Sequence, residues 1–147
     1  MSFRSNEQGS AMVEFAVFLS LLVTVLVGMV DYTFAIHEAM QVQEAAHAGA
    51  AWGAIPGNEA NLAGMKTAAT NAAYGVNGFS VTATNLWTCS AGGSSVPSTS
   101  TCSTGFTPWK YVVVKTTGTV PATLHFPGIT PNSTVSGVAV FPVPWSL

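Results

Sequence analysis

Charge is what this chain has least of. Six Asp or Glu and four Lys or Arg make up 7% of its 147 residues, against roughly a quarter in ordinary soluble domains. A net charge of −2 and so few cations leave no electrostatic footing for nucleic-acid binding. Surface without charge is instead free to be covered by lipid, by neighbouring copies or by partners. Cysteine is almost as scarce. Cys89 and Cys102 are the whole supply, and with no His between them they do not resemble a zinc site. H-E-x-x-H, phosphate-loop and dinucleotide-glycine patterns are missing too. His37, Glu38, Glu44 and His47 share a predicted helix but supply one i, i+3 pair, and they read as solvated polar positions. His125 stands in an apolar segment with no sequence-near acid or nucleophile, so no triad is assigned. We expect no catalytic residue, no metal site and no cofactor, and therefore not an enzyme.

What the chain does have is one long apolar run. Phe15 to Val30, FAVFLSLLVTVLVGMV, carries no charge, and Ala11 to Val30 approaches the roughly 20 residues that a bilayer-spanning helix needs. Val, Leu and Phe occupy every side of it, which lipid requires and a soluble surface helix does not show. A buried core helix would need a shell of other helices, which the remaining sequence does not provide. The span is placed within about residues 11–36. Arg4 precedes it, whereas Asp31, Glu38 and Glu44 follow it with no Lys or Arg before Lys66. The positive-inside bias therefore puts the leader, residues 1–9, in the cytoplasm and the remainder outside.

A secretory signal peptide shares this layout, but its apolar core is usually shorter. The small-residue triplets Thr33-Phe34-Ala35 and Ala46-His47-Ala48 are poorly placed for its cleavage. Glu14, at the mouth of the apolar run, is the odd residue, because charge at a membrane edge is costly and usually functional. A chain cut after Gly9 would carry a new amine on Ser10, one helical turn from that carboxylate. Each charge would offset the desolvation of the other. The plainer reading is that Glu14 complements the helix dipole of the first turn or snorkels to the interface.

Tyr32 to Trp52 contains no Pro and is rich in helix formers, so one helix over about residues 10–52 should run roughly 65 Å. Pro56-Gly57 closes it. Ala45, Ala46, Gly49 and Gly53 allow close helix packing, and the Gly49/Gly53 spacing serves either the protein's own exported domain or neighbouring helices. A second helix is expected over Ala60 to Tyr74, with Asn58 as cap, Glu59 in the first turn, and Leu62, Met65, Ala69 and Ala72 as its inner stripe.

Alternation then replaces helical spacing, giving strands near Phe79–Thr84, Trp109–Val120 and Ser136–Val143, with a short candidate at Thr123–Phe126. Pro121, Pro127, Pro131, Pro142 and Pro144 bracket them and make the last strand an edge or an early stop. The expected fold class is α+β: a long transmembrane helix continuing into a small exported head, residues 57–147, with a second helix and an antiparallel sheet. Cys89 and Cys102 lie in a Ser/Thr/Gly-rich loop on the exported side, where a disulfide closing loop 89–102 is the natural reading and two free thiols the alternative. That loop is a candidate contact surface for another subunit or an external ligand. Asn132-Ser133-Thr134 matches a glycosylation acceptor, explained more simply by a Pro-Asn-Ser turn.

The leading segment resembles a known family. Gly9, four residues, then Glu14-Phe15 and an apolar run is similar to the processing site of type IV pilins and pseudopilins. The wider pattern, Gly9-Ser10-Ala11-Met12-Val13-Glu14-Phe15-Ala16, then Gly28, Asp31 and Ala46-His47-Ala48-Gly49-Ala50, resembles the TadE-like minor pilins of the tight-adherence (Tad/Flp) pilus. His47 stands where many relatives carry Arg or Lys. The resemblance covers about the first third of the chain. It implies cleavage between Gly9 and Ser10 by a prepilin peptidase, with Glu14 and Phe15 as recognition and assembly residues. It implies as partners other pilin or pseudopilin subunits, the inner-membrane assembly platform and the lipid bilayer, and as location the bacterial inner membrane and then the pilus. The principal pilins of that system are much shorter, so the role implied is that of a minor component. A permanently anchored periplasmic scaffold or binding protein, and a secreted enzyme or adhesin, are the rival readings.

Overall fold

The computed structural model describes residues 7–90, 92–103, 105–121 and 132–143, with the side chains of 7–10 excluded. Two helices and three strands follow in the order α1 (Glu7–Gly53), α2 (Leu62–Ala72), β1 (Ser80–Thr88), β2 (Trp109–Pro121) and β3 (Asn132–Pro142). This is the expected α+β arrangement of one long apolar helix, a second helix and an antiparallel sheet. α1 begins three residues earlier than expected, because Glu7 and Gln8 are themselves helix formers. The short strand expected at Thr123–Phe126, and Pro127, Pro131, Pro144 and His125, lie outside the described residues.

α1 stops where the chain runs out of helical geometry. Ala54 N still reaches Ala50 O at 2.9 Å, but Ile55 N bonds Trp52 O instead, and Gly57 follows at φ 91°. The next helix is capped by Asn61, not Asn58: Asn61 Oδ1 accepts from Gly64 N at 2.9 Å. Asn58 is otherwise engaged, its side-chain amide donating to Trp52 O at 3.4 Å. Glu59 also leaves the expected first turn. Its carboxylate accepts from Gly57 N at 2.7 Å, and hydrogen bonds from its own amide and that of Gly57 hold its pKa below the usual value. Leu62, Met65 and Ala69 form the inner stripe of α2 as expected, but it continues to Ala73 at the C-cap, with Ala72 exposed. Four-residue steps stay on one helix face, and Ala72 lies about 100° away from the last of them. Asn61→Ala should lower the stability of the head by about 1 kcal/mol, measurable as a drop in its thermal midpoint, while Asn58→Ala should cost less.

The sheet order is β1-β2-β3, all antiparallel, with Ser80 opposite Thr117, Thr88 opposite Trp109, and Val114 opposite both Ala83 and Ala139. β2 is central because it is the most apolar strand. Val112 and Val114 are fully buried on the helix side and Val113 is nearly so on the other. Asn132 to Thr134 belongs to β3, so the Pro-Asn-Ser turn is replaced by strand pairing from Asn132 opposite Pro121. Pro121 and Pro142 end their strands, and β3 is an edge.

One face of the sheet packs on the last third of α1 and on α2. The core is built from small side chains: Ala46, Ala50, Ala69, Ala83 and Ala139 surround Met65, Val112 and Val114. Small residues let the backbones approach closely. Val42 sits above Gly118, where a Cβ would lie 2.8 Å from its Cγ2. The Thr116 hydroxyl donates to Val42 O at 2.8 Å, with Gly137 O at 3.3 Å alongside. Gln43 reaches the rim of the sheet, where its amide donates to Val138 O at 3.0 Å and accepts from Val138 N at 3.2 Å.

Candidate functional site

The chemistry-bearing positions fall on three separate places along one axis. The first is the start of α1. Gly9 and Ser10 lie within its backbone, and Glu14 follows Ser10 by one turn, about 6 Å along the axis. Glu14 lines a shallow apolar groove with Val13, Val17, Phe18 and Leu21. Phe15 is exposed beside it.

Apolar side chains are exposed on all sides from Met12 to Val30. The few hydroxyls are turned back on the helix, as lipid requires: Ser20 donates to Val17 O at 2.8 Å, Thr24 to Ser20 O at 2.9 Å and Thr33 to Met29 O at 2.8 Å. The helix over Ala11–Gly53 is long and apolar enough to cross a membrane.

The second place is the stalk between this run and the head. Asp31 and Glu38 stand two turns apart on the line that leads through Ala35 to Val42. Among the described residues, one oxygen of each, Asp31 Oδ1 and Glu38 Oε2, is shut from solvent without a hydrogen-bond partner. α1 carries no Lys or Arg from Ala11 to its end, so it cannot neutralise them itself. His37, Glu44 and His47 are exposed as expected of solvated positions, whereas Glu38 is half-buried because it stands on the side of α1 that leads to the head.

The helix-packing residues make the junction with the head. Ala45 and Ala46 are fully buried. A Cβ on Gly49 would meet Met65 O at 2.8 Å, and one on Gly53 would meet Met65 Sδ at 2.8 Å, so the side of α2 fits into a notch in α1. Trp52 lies over Gly64 in the reciprocal way. Gly49 and Gly53 thus face the protein's own second helix. His47 meets Phe141 edge-on, with ring centroids 5.8 Å apart.

The third place is the loop between β1 and β2, at the end of the head farthest from the apolar run. Cys89 and Cys102 are joined there, S–S 2.03 Å and Cα–Cα 5.5 Å. Phe106, Thr107 and Trp109 line an open cup beside the disulfide. That Phe106 and Trp109 line one cup is a feature that sequence reading missed, because it depends on how the chain passes the disulfide.

The structure brings Cys89 and Cys102 together and sets Ala45, Ala46, Gly49 and Gly53 against the head. It leaves Gly9, Ser10, Glu14 and Phe15 far off, Glu14 being about 42 Å along the helix from Val42. Among the described residues, no group of three His, Cys, Asp or Glu side chains could hold a metal ion.

Comparison with family models matches residues 9–51 to the family described as TadE-like protein. That range, less than a third of the chain, holds Gly9, Ser10, Glu14, Phe15 and the packing residues through Gly49. Neither the curated proteins nor the solved structures include a match to it.

Proposed function

We propose that this chain is a minor pilin or pseudopilin of a Tad pilus, held in the inner membrane by the first half of α1 with its leader cytoplasmic and its head exported. Prepilin peptidase would cut between Gly9 and Ser10, and the released subunit would initiate, cap or adjust a pilus. Its work is assembly rather than catalysis, carried out with other pilin subunits and the inner-membrane platform.

The observation that carries this reading is the division of α1. Its first part is bare and apolar on every side, while its last part is bolted to the head through Val42, Ala46 and Gly49. One rigid rod therefore serves as lipid anchor before assembly and as packing surface afterwards. Glu14 is placed to answer the new Ser10 amine, on the same chain or a neighbouring one, where low dielectric strengthens the pairing.

Amino-terminal sequencing of the mature chain tests the reading. Ser10 as first residue supports it, Met1 or Ser2 favours a permanently anchored scaffold, and a start beyond Ala35 favours a secreted enzyme or adhesin. Glu14→Ala should reduce recovery of the chain in sheared pili by at least tenfold while leaving its membrane fraction unchanged. That follows because leaving one partner of a desolvated charge pair alone costs about 3–5 kcal/mol. Normal incorporation of that variant would remove Glu14 from the assembly role.

A further inference from the structure

The tip loop contains a feature that pilus assembly does not account for. Phe106 is 72% exposed and Trp109 56% exposed, although both sit on a rigid support. Cys102 N donates to Phe106 O at 3.1 Å and Gly105 N to Cys102 O at 2.8 Å, closing a tight turn on the disulfide. Pro108 between the two aromatics is buried. Trp109 is anchored as the first residue of β2, opposite Thr88, whose hydroxyl donates to Ser90 O at 2.9 Å. Nearby, Val96 N bonds Trp87 O at 2.8 Å and holds the far arm of the loop against β1. Two aromatic surfaces are thus kept in water by a stapled frame, and a site ordered in advance loses little entropy on binding.

We propose that the cup formed by Cys89, Cys102, Phe106, Thr107 and Trp109 binds a neutral saccharide. Three observations select that chemistry. The first is charge: no charged side chain lines the cup, and the nearest cation in sequence, Lys110, is engaged over the Trp87 ring at 5.9 Å. The second is the pairing of aromatic faces with hydroxyls. A pyranose presents a face of C–H bonds that settles on the electron-rich face of an indole. One of its hydroxyls then meets the Thr107 hydroxyl, which both donates and accepts. The third is size. The cup encloses about 280 Å³, just below the roughly 300–1,000 Å³ of pockets for drug-sized ligands, and so admits about one sugar ring. A proline-rich peptide would use aromatic rings as well, but it asks for a groove several residues long.

The proposal requires only the folded tip, so it stands or falls separately from the pilus reading. The full chain in lipid nanodiscs, free of sugar-headed detergent, is tested against immobilised neutral oligosaccharides, acidic oligosaccharides and a proline-rich peptide. Tryptophan fluorescence serves as a second readout. The expected result is saturable binding of at least one neutral oligosaccharide, with no gain when the sugar bears a carboxylate. Trp109→Ala should weaken binding by roughly tenfold, while Trp109→Tyr, which keeps a ring, should retain most of it, both at an unchanged thermal midpoint. Failure of every neutral oligosaccharide to bind, full binding by Trp109→Ala, or binding of the peptide alone would overturn the proposal.

Discussion

Replacing Gly137 by valine should lower the thermal midpoint of the head by about 10–20 °C. A Cβ at this position would meet Val42 O at 2.7 Å, Gln43 Cα at 2.8 Å and Thr116 Oγ at 2.8 Å. Two of these three are backbone atoms of α1, so relief requires moving the helix off the sheet. Valine favours strands by up to about 1 kcal/mol, but overpacking a close contact costs about 1–3 kcal/mol and sometimes more. Here the obstacle is main chain, so we take the upper end, and each kcal/mol moves the midpoint of a domain this size by about 4–8 °C. Gly28→Ala is the control, because nothing lies within 4 Å of its Cβ position. Melting of the solubilised full-length chain, followed by near-ultraviolet circular dichroism, makes the comparison. A Gly137→Val midpoint equal to that of the control would mean that α1 does not rest on β3 as described.

The double change Cys89→Ser with Cys102→Ser should destabilise the head by about 3 kcal/mol in the chain-entropy model of a loop this size, the two residues being 13 apart in sequence. The same bridge anchors the turn at Phe106, so local loosening should exceed the global loss. Trypsin is blind to this, since no Lys or Arg occurs between Lys66 and Lys110. Chymotrypsin is not, and cleavage after Phe106 should accelerate by at least tenfold in the variant. Reductant should accelerate the parent to the same rate and leave the variant unchanged. Equal rates for oxidised parent and variant would show that the loop holds its shape without the bridge.

Much of this architecture can be read from residue order alone, for physical reasons. The apolar run is legible because its length and all-round hydrophobicity have few soluble explanations. Strand β2 is legible because Tyr111 to Val114 is β-branched and aromatic, and the disulfide because only two cysteines exist. The cap of α2 is not, since Asn58 and Asn61 have equal local claims and a bond from Asn58 to Trp52 O decides between them. Ala72 and Ala73 are equally interchangeable on paper until a phase is set by Met65 and Ala69 packing under α1. Most remote from local reading are the bonds between Gln43 and Val138, 95 positions apart in the chain. The exposure of Phe106 and Trp109 at the tip belongs to the same class, because it depends on what the fold fails to cover.

The Gln43 amide has a consequence beyond fixing α1 to its sheet. β3 ends the sheet, and from Asn132 to Phe141 it carries no charge, a combination that invites further strands from other molecules. A side-chain amide presents the same donor and acceptor as a peptide unit, so at Val138 it fills the place where an intruding strand would register. The residue thereby blocks strand addition at the middle of this edge, where Val138 would otherwise offer both a donor and an acceptor.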